Sequence, residues 1–439
     1  MNQSTKRLLA LAVYILLVFL PVIVFFLFPM PAGRSFWRDF SVILGFTGLS
    51  LAGLQFLPTA RIRFLSEVFE MDGIYRAHHL LSVLSVLLVF LHPAILVINN
   101  PYTLLLLNPL TAPWRAQAGL IGLAALVLIA ITSVLRKDLR LDYNAWHGLH
   151  DLLALIIAVF ALTHLLKVDY YMSAPAMRAA WLLEVLIWVG MTFYVRVLKP
   201  LDMQRHPYIV KQLVTELPDT WTLVLVPQGH AGMRFAAGQV AWINVNSSPF
   251  TLHRNPFSFS GSAHREGELR FSIKDAGDFT AAIGKLQGGE TVYVDGPYGN
   301  FSLADARMQK GLVLLAGGIG IAPMLSILNT LADEKDRRPI YLFYGNPDEA
   351  NVAYLKELDE LQKKLQLKVT HVLEEPAKKL KSETGFITRP LLERELPANH
   401  AELFYFICGP LVMIDAMEAI LRAMQVPGRQ VVSEKYEMA

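Results

Sequence analysis

The chain has 439 residues, which is enough for two or three domains. Hydrophobic residues make up 54% of the chain and charged residues only 18%, a composition too apolar for an ordinary soluble enzyme. The formal net charge of +3 argues against a nucleic-acid partner, and a single cysteine, Cys408, excludes an internal disulfide.

The apolar residues are concentrated in the first half of the chain. A membrane-spanning helix needs about 20 predominantly apolar residues. Six segments approach or meet that length: 8–28, 41–60, 78–98, 118–135, the region around 152–166, and 179–198. We therefore predict a six-helix all-α transmembrane bundle over residues 1–202. The first segment lacks a small-residue cleavage site at its end, so we expect an anchor rather than a secretory signal.

Lysine and arginine residues flank the six segments unevenly. They are frequent before segment one, between segments two and three, between four and five, and after six, and they are fewer in the opposite loops. Cytoplasmic loops of membrane proteins carry such an excess of basic residues. The sequence therefore predicts a multi-pass protein of the inner (cytoplasmic) membrane, with both termini and the second half of the chain in the cytoplasm.

Two of the apolar segments carry histidines at a matched spacing. His78 and His92 lie 14 residues apart in the third segment, and His150 and His164 lie 14 residues apart in the fifth. In a helix this spacing is about 21 Å and close to four turns, so the two side chains share a face. Both helices run in the same direction, so the four imidazoles form two layers. Two facing imidazoles can bind one haem iron from both sides, and the pattern predicts two stacked haems.

Alternatives to this ligand set remain open in the sequence. His79 is one residue out of phase with His78, and His147 lies one turn before His150, so either could replace its neighbour. The matched spacing favours His78 and His150. A transporter fused to a reductase, whose histidines relay protons, would contain the same residues without haem.

The segments after Pro200 alternate in polarity and carry charges. Five short strand patterns between 207 and about 303 are separated by turn residues, which predicts an antiparallel β-barrel over 203–305. The stretch LHRNPFSFSG lies between these strands. A further stretch, IKDAGDFTAAIGKL, is typical of a strand, a glycine-containing turn and a helix whose first N–H groups could approach a diphosphate.

From residue 306 onward the pattern is typical of alternating strands and helices, which predicts a parallel sheet in a Rossmann-like α/β domain over 306–439. GLVLLAGGIGIAPMLSILNTL combines a buried strand, a glycine-rich turn and an amphipathic helix. Gly317, Gly318 and Gly320 permit a phosphate to approach the backbone closely, although the stretch departs from the full GxGxxG fingerprint.

Taken in order, these signals resemble the ferric reductase and NADPH oxidase family in its bacterial, single-chain form. They are the paired membrane histidines, NPFSFSG, VDGPYG, AGGIGIAP, CGP and the terminal SEKYEM. The resemblance covers nearly the whole chain. It implies a ferric-reductase-like domain that holds two b-type haems, followed by a ferredoxin-reductase-like half that binds FAD and NAD(P)H.

The resemblance also implies roles for residues in the FAD half. Asn255, Pro256, Phe257 and Ser258 match the flavin motif, and Ser258 is expected near the reactive nitrogen of the flavin ring. The family commonly has His or Arg where this chain has Asn255, so His253 or Arg254 is the alternative for that contact. The residues that match the stretch around the FAD pyrophosphate are Lys274, Gly277 and Thr280.

Three further groups of residues match the nucleotide half of the family. The nicotinamide-nucleotide loop is matched by Gly317, Gly318, Gly320 and Pro323. The stretch beside the nicotinamide is matched by Cys408, Gly409 and Pro410. Tyr436 corresponds to the aromatic residue that covers the flavin until nicotinamide displaces it. The resemblance thus implies that Ser258, Cys408 and Tyr436 take part in hydride transfer.

The function that follows is a flavocytochrome b of the NAD(P)H oxidase and ferric reductase type. FAD accepts two electrons as a hydride and releases them singly to the His78/His150 haem and then to the His92/His164 haem. The expected outer acceptor is dioxygen, which gives superoxide. A ferric chelate, or a periplasmic partner protein that docks on the loop 99–114, is the alternative acceptor.

Several features leave their roles open. Lys167, one turn beyond His164, could attract an anion or lie at the lipid interface. Glu184, inside the sixth segment, could pass protons, pair with Arg178 or Lys167, or lie solvated at the membrane interface. After the second nucleotide-domain strand the chain offers Asn346 and an Asp348 that would repel a 2′-phosphate, so NADH is expected to be usable. Oligomeric state is not indicated, and the expected partners are the nucleotide, the acceptor and membrane lipid.

Overall fold

The computed structural model describes residues 3–28, 34–245, 248–251, 254–265 and 267–435. The chain divides into two compact units, described separately below. The first unit comprises Met1–Val68 and Gly73–Arg196, and the second comprises Phe69–Asp72 and Val197–Ala439. The first contains the apolar helices and the second contains two sheets, so the predicted fold class is confirmed. The predicted domain boundaries stay predictions.

Within the described part of the chain, six helical spans are long and apolar enough to cross a membrane, as the sequence predicts. The long helices are α1 (Gln3–Leu27), α2 (Phe36–Leu54), α5 (Met71–Asn99), α6 (Trp114–Val134), α7 (Tyr143–Lys167) and α8 (Pro175–Phe193). Short helices α3 (Phe56–Thr59) and α4 (Arg63–Val68) follow α2, and a 3₁₀ helix, Pro101–Leu107, follows α5. A π-helical turn, Tyr194–Leu198, joins α8 to α9 (Lys199–Arg205).

Local sequence signals fix where several of these helices begin. Ser35 precedes α2, and its hydroxyl accepts a hydrogen bond from the Arg38 amide. Asp142 precedes α7 and accepts from the amides of Asn144 and Ala145, at 3.0 Å each. Pro175 occupies the first turn of α8, where its missing N–H costs nothing. These caps satisfy backbone donors that a helix start leaves without partners.

Small residues determine which membrane helices approach each other. A Cβ added to Gly48 of α2 would lie 2.7 Å from Val89 of α5, and one added to Gly53 would lie 1.9 Å from Trp188 of α8. Ser85 of α5 donates to the Gly48 carbonyl at 2.8 Å. Such small residues let membrane helices pack at short distance. Helix α2 is therefore held between α5 and α8.

The first sheet of the second unit is antiparallel and has six strands. They are β1 (Tyr208–Leu217), β2 (Thr220–Pro227), β3 (Val240–Val245), β4 (Asn255–Ser258), β5 (Leu269–Lys274) and β6 (Thr291–Tyr298), in the order β4-β3-β6-β1-β2-β5. Helix α10 (Asp278–Ile283) follows β5. The hydrophobic core of this sheet is built from alternate strand residues such as Leu223, Leu225, Phe271 and Ile273, each fully buried.

The second sheet is parallel and has six strands as well. They are β7 (Leu312–Gly317), β8 (Ile340–Asn346), β9 (Leu367–Leu373), β10 (Ser382–Thr384), β11 (Phe404–Gly409) and β12 (Val431–Lys435), in the order β10-β9-β8-β7-β11-β12. The helices are α11 (Ile321–Asp333), α12 (Leu355–Lys364), α13 (Arg389–Glu395) and α14 (Leu411–Ala423). Leu312 and Leu314 pack with α11 and α12, whereas Val313 and Leu315 pack with α13 and α14. Both faces of the sheet are therefore covered, as the continuous apolar strands predict.

Polar contacts join the two sheets within the second unit. Arg270 of β5 contacts both carboxylate oxygens of Glu357 on α12, at 3.3 and 3.1 Å. Ser326 of α11 donates to the Gly261 carbonyl at 2.8 Å. The Ser326 contact is buried and the Arg270 contact is partly buried, and together they hold β5 and the turn at Gly261 against α11 and α12.

We predict that Gly53→Ala lowers the free energy of unfolding by about 1–3 kcal/mol, because the added methyl group overlaps the Trp188 indole and forces α2 away from α8. Thermal unfolding in detergent measures this loss. Gly190→Ala in α8 is the matched control, since a Cβ there meets no atom within 4 Å. Equal melting temperatures for the two variants would contradict the packing argument.

Candidate functional site

The first unit brings the four predicted histidines together in two pairs. The ring centres of His78 and His150 are 6.4 Å apart, and those of His92 and His164 are also 6.4 Å apart. Each pair takes one residue from α5 and one from α7. The alternatives are placed differently: His79 is exposed, and His147 lies 3.8 Å from the Asp151 carboxylate.

A second helix holds each histidine of α5 through its Nδ1 atom. His78 Nδ1 lies 3.0 Å from Gln55 Oε1, and His92 Nδ1 lies 3.0 Å from the Ser41 carbonyl oxygen. Ser41 also donates its hydroxyl to the His92 carbonyl at 2.8 Å. A carbonyl or amide oxygen only accepts, so Nδ1 is the donor in both contacts.

The histidines of α7 are held in the same way by α6. His164 Nδ1 lies 2.7 Å from the Arg115 carbonyl oxygen, and His150 Nδ1 lies 3.3 Å from the Ser133 hydroxyl. The Arg115 carbonyl only accepts, so Nδ1 is the donor in His164, whereas the Ser133 hydroxyl can accept from His150 or donate to it. Where Nδ1 is protonated, Nε2 keeps the lone pair that can bind a metal ion. This hydrogen bond at the far nitrogen is the usual support for a metal-bound histidine.

These pairs fit a haem iron. An imidazole nitrogen binds such a metal at about 2 Å, so two imidazoles on opposite sides of one ion have ring centres about 6 Å apart. Among the described residues, no group of three or more His, Cys, Asp or Glu is placed to hold a metal ion. Each layer thus offers two nitrogen ligands, which suits an iron whose other four ligands come from a porphyrin.

Glycines bring the neighbouring helices close to the second pair. A Cβ added to Gly45 would lie 3.2 Å from the His92 ring, and one added to Gly119 would lie 2.9 Å from the His164 ring. Sequence reasoning did not identify these glycines or the Nδ1 partners. A signal was present, because Ser41 and Gln55 are 14 residues apart, the spacing of the histidines they hold.

Glu184 lies in the same unit and has a different partner from those considered in the sequence. It is fully buried, and its carboxylate accepts from Ser50 at 2.7 Å. Arg178 donates instead to the Met172 carbonyl. The ion pair with Arg178 or Lys167 is thus not formed in the described residues.

The flavin motif forms strand β4 of the second unit. Ser258 pairs with Val240 of β3 and is 3% exposed. The Phe257 ring stacks against Phe279 of α10, with centres 6.1 Å apart. The motif and the helix that follows Gly277 therefore lie side by side. The other two residues of the motif, Asn255 and Pro256, precede Phe257 and Ser258 on strand β4.

The Arg254 side chain contacts the backbone of the residues that precede it. It donates to the carbonyls of Pro249 and Thr251, and it lies 3.7 Å from the buried Asp295 carboxylate. His253, the other alternative for the contact at position 255, lies outside the described residues.

The stretch matched to the FAD pyrophosphate begins where β5 ends. Lys274 lies 3.4 Å from the Asp219 carboxylate, so part of its charge is already compensated. Gly277 has φ +141°, a conformation that favours glycine, and precedes α10. The Thr280 hydroxyl donates to the Gly277 carbonyl at 2.8 Å and closes the turn.

The glycine-rich loop packs directly against the CGP stretch. A Cβ added to Gly320 would lie 2.2 Å from the Cys408 carbonyl oxygen, and one added to Gly317 would lie 2.9 Å from Pro410. A Cβ added to Gly409 would lie 3.1 Å from the Gly317 backbone. Gly318, at φ +52°, makes the turn that leads to α11, whose first turn contains Pro323. The sequence predicts both stretches. It does not predict that the glycine-rich loop and the CGP stretch can pack this closely only because each has glycines that face the other.

Sequence reasoning missed Glu434. Strand β12 pairs in parallel with β11 and places Glu434 beside Cys408. Ser258 donates to the Glu434 carboxylate at 3.4 Å. Three residues from β4, β11 and β12 thus converge. The only signal was the position of Glu434 in SEKYEM, two residues before Tyr436, which itself lies outside the described residues.

Charge at the end of β8 bears on nucleotide choice. Asp348 accepts from the side chain and the amide of Asn351, at 2.9 and 3.0 Å, and these hydrogen bonds hold the pKa of its carboxyl group below the usual value. The group is therefore ionised at neutral pH.

Six residues later in the chain, burial raises the pKa of Tyr354 to about 12, so its hydroxyl stays protonated next to Thr222.

Comparison with known families matches both halves. The ferric reductase like transmembrane component model matches residues 44–195, and the oxidoreductase NAD-binding domain model matches residues 314–419. The chain therefore joins a ferric-reductase-like transmembrane domain to an NAD-binding oxidoreductase domain. The predicted fusion is confirmed, and the matches support a transmembrane oxidoreductase.

Individual relatives match half of the chain or less. The reductase component of propane 2-monooxygenase from Mycolicibacterium smegmatis is 31% identical over 50% of this chain and 64% of its own length. NADH-cytochrome b5 reductase 1 from Dictyostelium discoideum is 33% identical over 36% of this chain and 55% of its own length. The chain thus spans less than two thirds of either relative.

One solved structure matches most of the chain. A flavohemoglobin from Malassezia yamatoensis, with bound FAD and heme, is 18% identical, covers 92% of this chain and all of its own, and has a TM-score of 0.51. At this identity the match bears on fold alone.

We predict that Gly320→Ala weakens NADH binding at least about tenfold, because the methyl group overlaps the Cys408 carbonyl and pushes the loop away from β11. Fluorescence titration of the purified protein with NADH measures the change. Gly428→Ala is the control, because a Cβ at that position meets nothing within 4 Å. Unchanged NADH affinity in Gly320→Ala would refute the proposed loop contact.

Proposed function

We propose that this protein carries electrons from cytoplasmic NAD(P)H, through FAD and two bis-histidine b-type haems, to an acceptor at the His92/His164 end of the membrane domain. The observation that carries the proposal is the pair of matched layers, each with ring centres 6.4 Å apart. Every Nδ1 atom in these layers has a hydrogen-bond partner on another helix, which leaves Nε2 for the iron.

Both cofactors are needed because the donor and the membrane carriers differ in electron number. FAD takes two electrons as a hydride and releases them one at a time, and each haem iron carries one. In this chain β4 and the turn at Gly277 would hold the flavin and its pyrophosphate. The loop at Gly317 and Gly320 would hold the nicotinamide nucleotide.

The residues that meet at the flavin motif would orient the hydride transfer. Ser258 donates toward Glu434, and Glu434 lies beside Cys408 in the strand register. In this arrangement Glu434 fixes the Ser258 hydroxyl and can hold a proton at its carboxylate while the nicotinamide binds next to Cys408. Tyr436, two residues later, would cover the flavin ring in the absence of nicotinamide.

Two features of the chain support the rest of the assignment. The excess of lysine and arginine on one side of the helices supports an inner-membrane protein with both termini in the cytoplasm. The ionised Asp348 disfavours a 2′-phosphate, so NADH as well as NADPH would serve as donor.

For the acceptor, we propose dioxygen, which a haem edge can reduce by one electron without an open iron position. A ferric chelate is the second candidate, favoured by three cations around the His92/His164 layer. Arg38 lies one turn from Ser41, the Arg115 carbonyl holds His164, and Lys167 lies one turn beyond His164. All three are exposed and none forms an ion pair within the described residues, so they could attract an anionic chelate.

Cytochrome c reduction by the purified protein, with NADPH and FAD in air, tests the acceptor. We expect superoxide dismutase to abolish the signal, because superoxide then carries the electron to cytochrome c. A signal that persists unchanged overturns the dioxygen assignment. Reduction of a ferric chelate under argon would then establish the second candidate.

We predict that His92→Ala removes one of two haems per chain and lowers electron transfer to the outer acceptor at least about 100-fold, because the iron loses one of its two protein ligands. The haem content, by pyridine haemochrome, and the acceptor rate are the measurements. NADPH oxidation by a soluble dye should stay at the wild-type rate.

His79→Ala is the matched control for that variant, because His79 lies on the same helix and is exposed. It should keep two haems and full transfer. Two haems in His92→Ala, or one in His79→Ala, would show that the ligand assignment is wrong.

We predict that Glu434→Gln slows flavin reduction by NADPH about 10–100-fold, because the amide cannot hold a proton as the carboxylate does. Stopped-flow absorbance of the flavin measures the rate. Asp415→Asn is the control, since Asp415 contacts the neighbouring Lys435 at 3.0 Å on the surface. A wild-type rate in Glu434→Gln would remove this residue from the proposed site.

A further inference from the structure

The membrane domain buries an acid that the proposed electron route does not use. Glu184 of α8 is fully buried, and α8 packs against α1, α2 and α3. Ser50 of α2, also fully buried, donates to Oε1 of this carboxylate at 2.7 Å. The other oxygen, Oε2, has no hydrogen-bond partner among the described residues. An ionisable group at this depth costs too much free energy to be retained for packing alone.

Three buried donors without protein partners among the described residues belong to the helix cluster that packs around α8. Buried and unpaired within the described part of the chain are the Trp181 and Trp188 indole nitrogens and the Tyr14 hydroxyl. Trp181 precedes Glu184 by three residues and Trp188 follows it by four, so all three share one face of α8. Buried polar groups nearly always have a partner, which is ordered water where the protein supplies none.

Helix α1 contributes the third of these donors, the Tyr14 hydroxyl. Tyr14 lies one turn before Leu17, whose carbonyl oxygen is 3.4 Å from the Ser50 hydroxyl. The unpaired groups contributed by Tyr14, Trp181 and Trp188 are N–H or O–H donors, and the Ser50 hydroxyl is a donor too. A cluster of donors around one acceptor stabilises a carboxylate, either directly or through bound water.

Along the axis of α2, the partner of Glu184 lies between the residues that hold the two histidine layers. This partner, Ser50, lies nine residues after Ser41, which holds His92, and five residues before Gln55, which holds His78. These separations are about 14 Å and about 8 Å along the helix axis. An electron in either layer is therefore near enough to act on the charge of Glu184 through a medium of low dielectric constant.

We propose that Glu184 is a redox-linked proton-binding site. It is a carboxylate while the membrane domain is oxidised, and it takes up one proton from the aqueous phase when an electron enters the histidine layers. The electron would come from NAD(P)H and would be held by the bound haem, the Glu184 carboxylate oxygen would take up one proton from water, and no bond would form between the two groups. The inference rests on the proposed function, because it requires haem in those layers.

The physical cause is the repulsion between two negative charges inside the bundle. An added electron raises the free energy of the ionised carboxylate, and protonation removes this penalty. In the described part of the chain, the titratable side chains of this cluster include Tyr14 of α1 and Tyr171, whose hydroxyl donates to Asp39 of α2 at 2.7 Å. Helix α2 also offers Ser50, and α3 offers neither acid nor base. No cation of this cluster, within the described residues, competes with the proton for the carboxylate.

Infrared difference spectroscopy of the full-length, haem-loaded protein tests the proposal. We expect reduction to produce a carboxylic-acid C=O band that moves to lower frequency in D₂O. Glu184→Gln should lack the band, because its isosteric amide keeps the Ser50 contact but binds no proton. The midpoint potential of the haems should rise as pH falls in the wild type and change less with pH in Glu184→Gln.

Asp169→Asn is the matched control, since Asp169 is an exposed acid of the loop after α7. It should keep both the band and the pH dependence. A band that persists in Glu184→Gln, or no band in the wild type, overturns the proposal. If Glu184→Gln does not fold, Ser50→Ala serves instead: loss of the hydrogen bond should shift the band, and an unshifted band also overturns the assignment.

These outcomes distinguish this inference from the proposed function. A wild-type protein with two bis-histidine haem spectra but no carboxylic-acid band sinks the proton site alone. A wild-type protein without haem sinks the proposed function itself, and the proton site with it.

Discussion

The hydrogen bond at Nδ1 of each paired histidine is the contact on which the membrane unit depends. It makes Nδ1 the donor in His78, His92 and His164, and in all four histidines it ties α5 to α2 and α7 to α6. In metal sites the loss of such a partner typically lowers metal affinity about 10–100-fold. The same bonds require close helix contact, which explains why glycines lie opposite His92 and His164. Ligand geometry and helix packing are thus one constraint, and neither can change without the other.

The second unit solves a related problem with backbone rather than side chains. The glycine-rich loop and the CGP stretch end neighbouring parallel strands, and they approach so closely that side chains cannot fit between them. This leaves an edge of the sheet where N–H groups and small residues are accessible to a nucleotide. Strand β12 then adds Glu434 beside Cys408 and within reach of Ser258. The proposed site for hydride transfer thus lies where the ends of three strands meet.

The sequence predicts those features that repeat with a fixed period. Six apolar segments, histidines four turns apart and strands alternating with helices all follow from local spacing, and the six helices and both sheets are present. Which helix packs beside which, and which side chain supports each imidazole, depends on contacts between residues far apart in the chain. Glu434 and Arg254 illustrate this difference. Glu434 gains its position from a strand pairing that no local pattern specifies, and Arg254, a candidate for the flavin contact, is turned toward Asp295 by its own loop.

Moving electrons through a membrane bundle places negative charge where water cannot compensate it. In the proposed electron route each bis-histidine layer would offer neutral ligands, so the free-energy cost of each added electron would fall on the surrounding protein. In the described part of the bundle Glu184 has a neutral donor, Ser50, as its hydrogen-bond partner, and cations such as Arg38 and Lys167 lie near the ends of the helices. Fixed cations in the core would stabilise the electron permanently and slow its departure. A carboxylate that gains and loses a proton stabilises the electron only while it is present, which suits a carrier that must release one electron at a time.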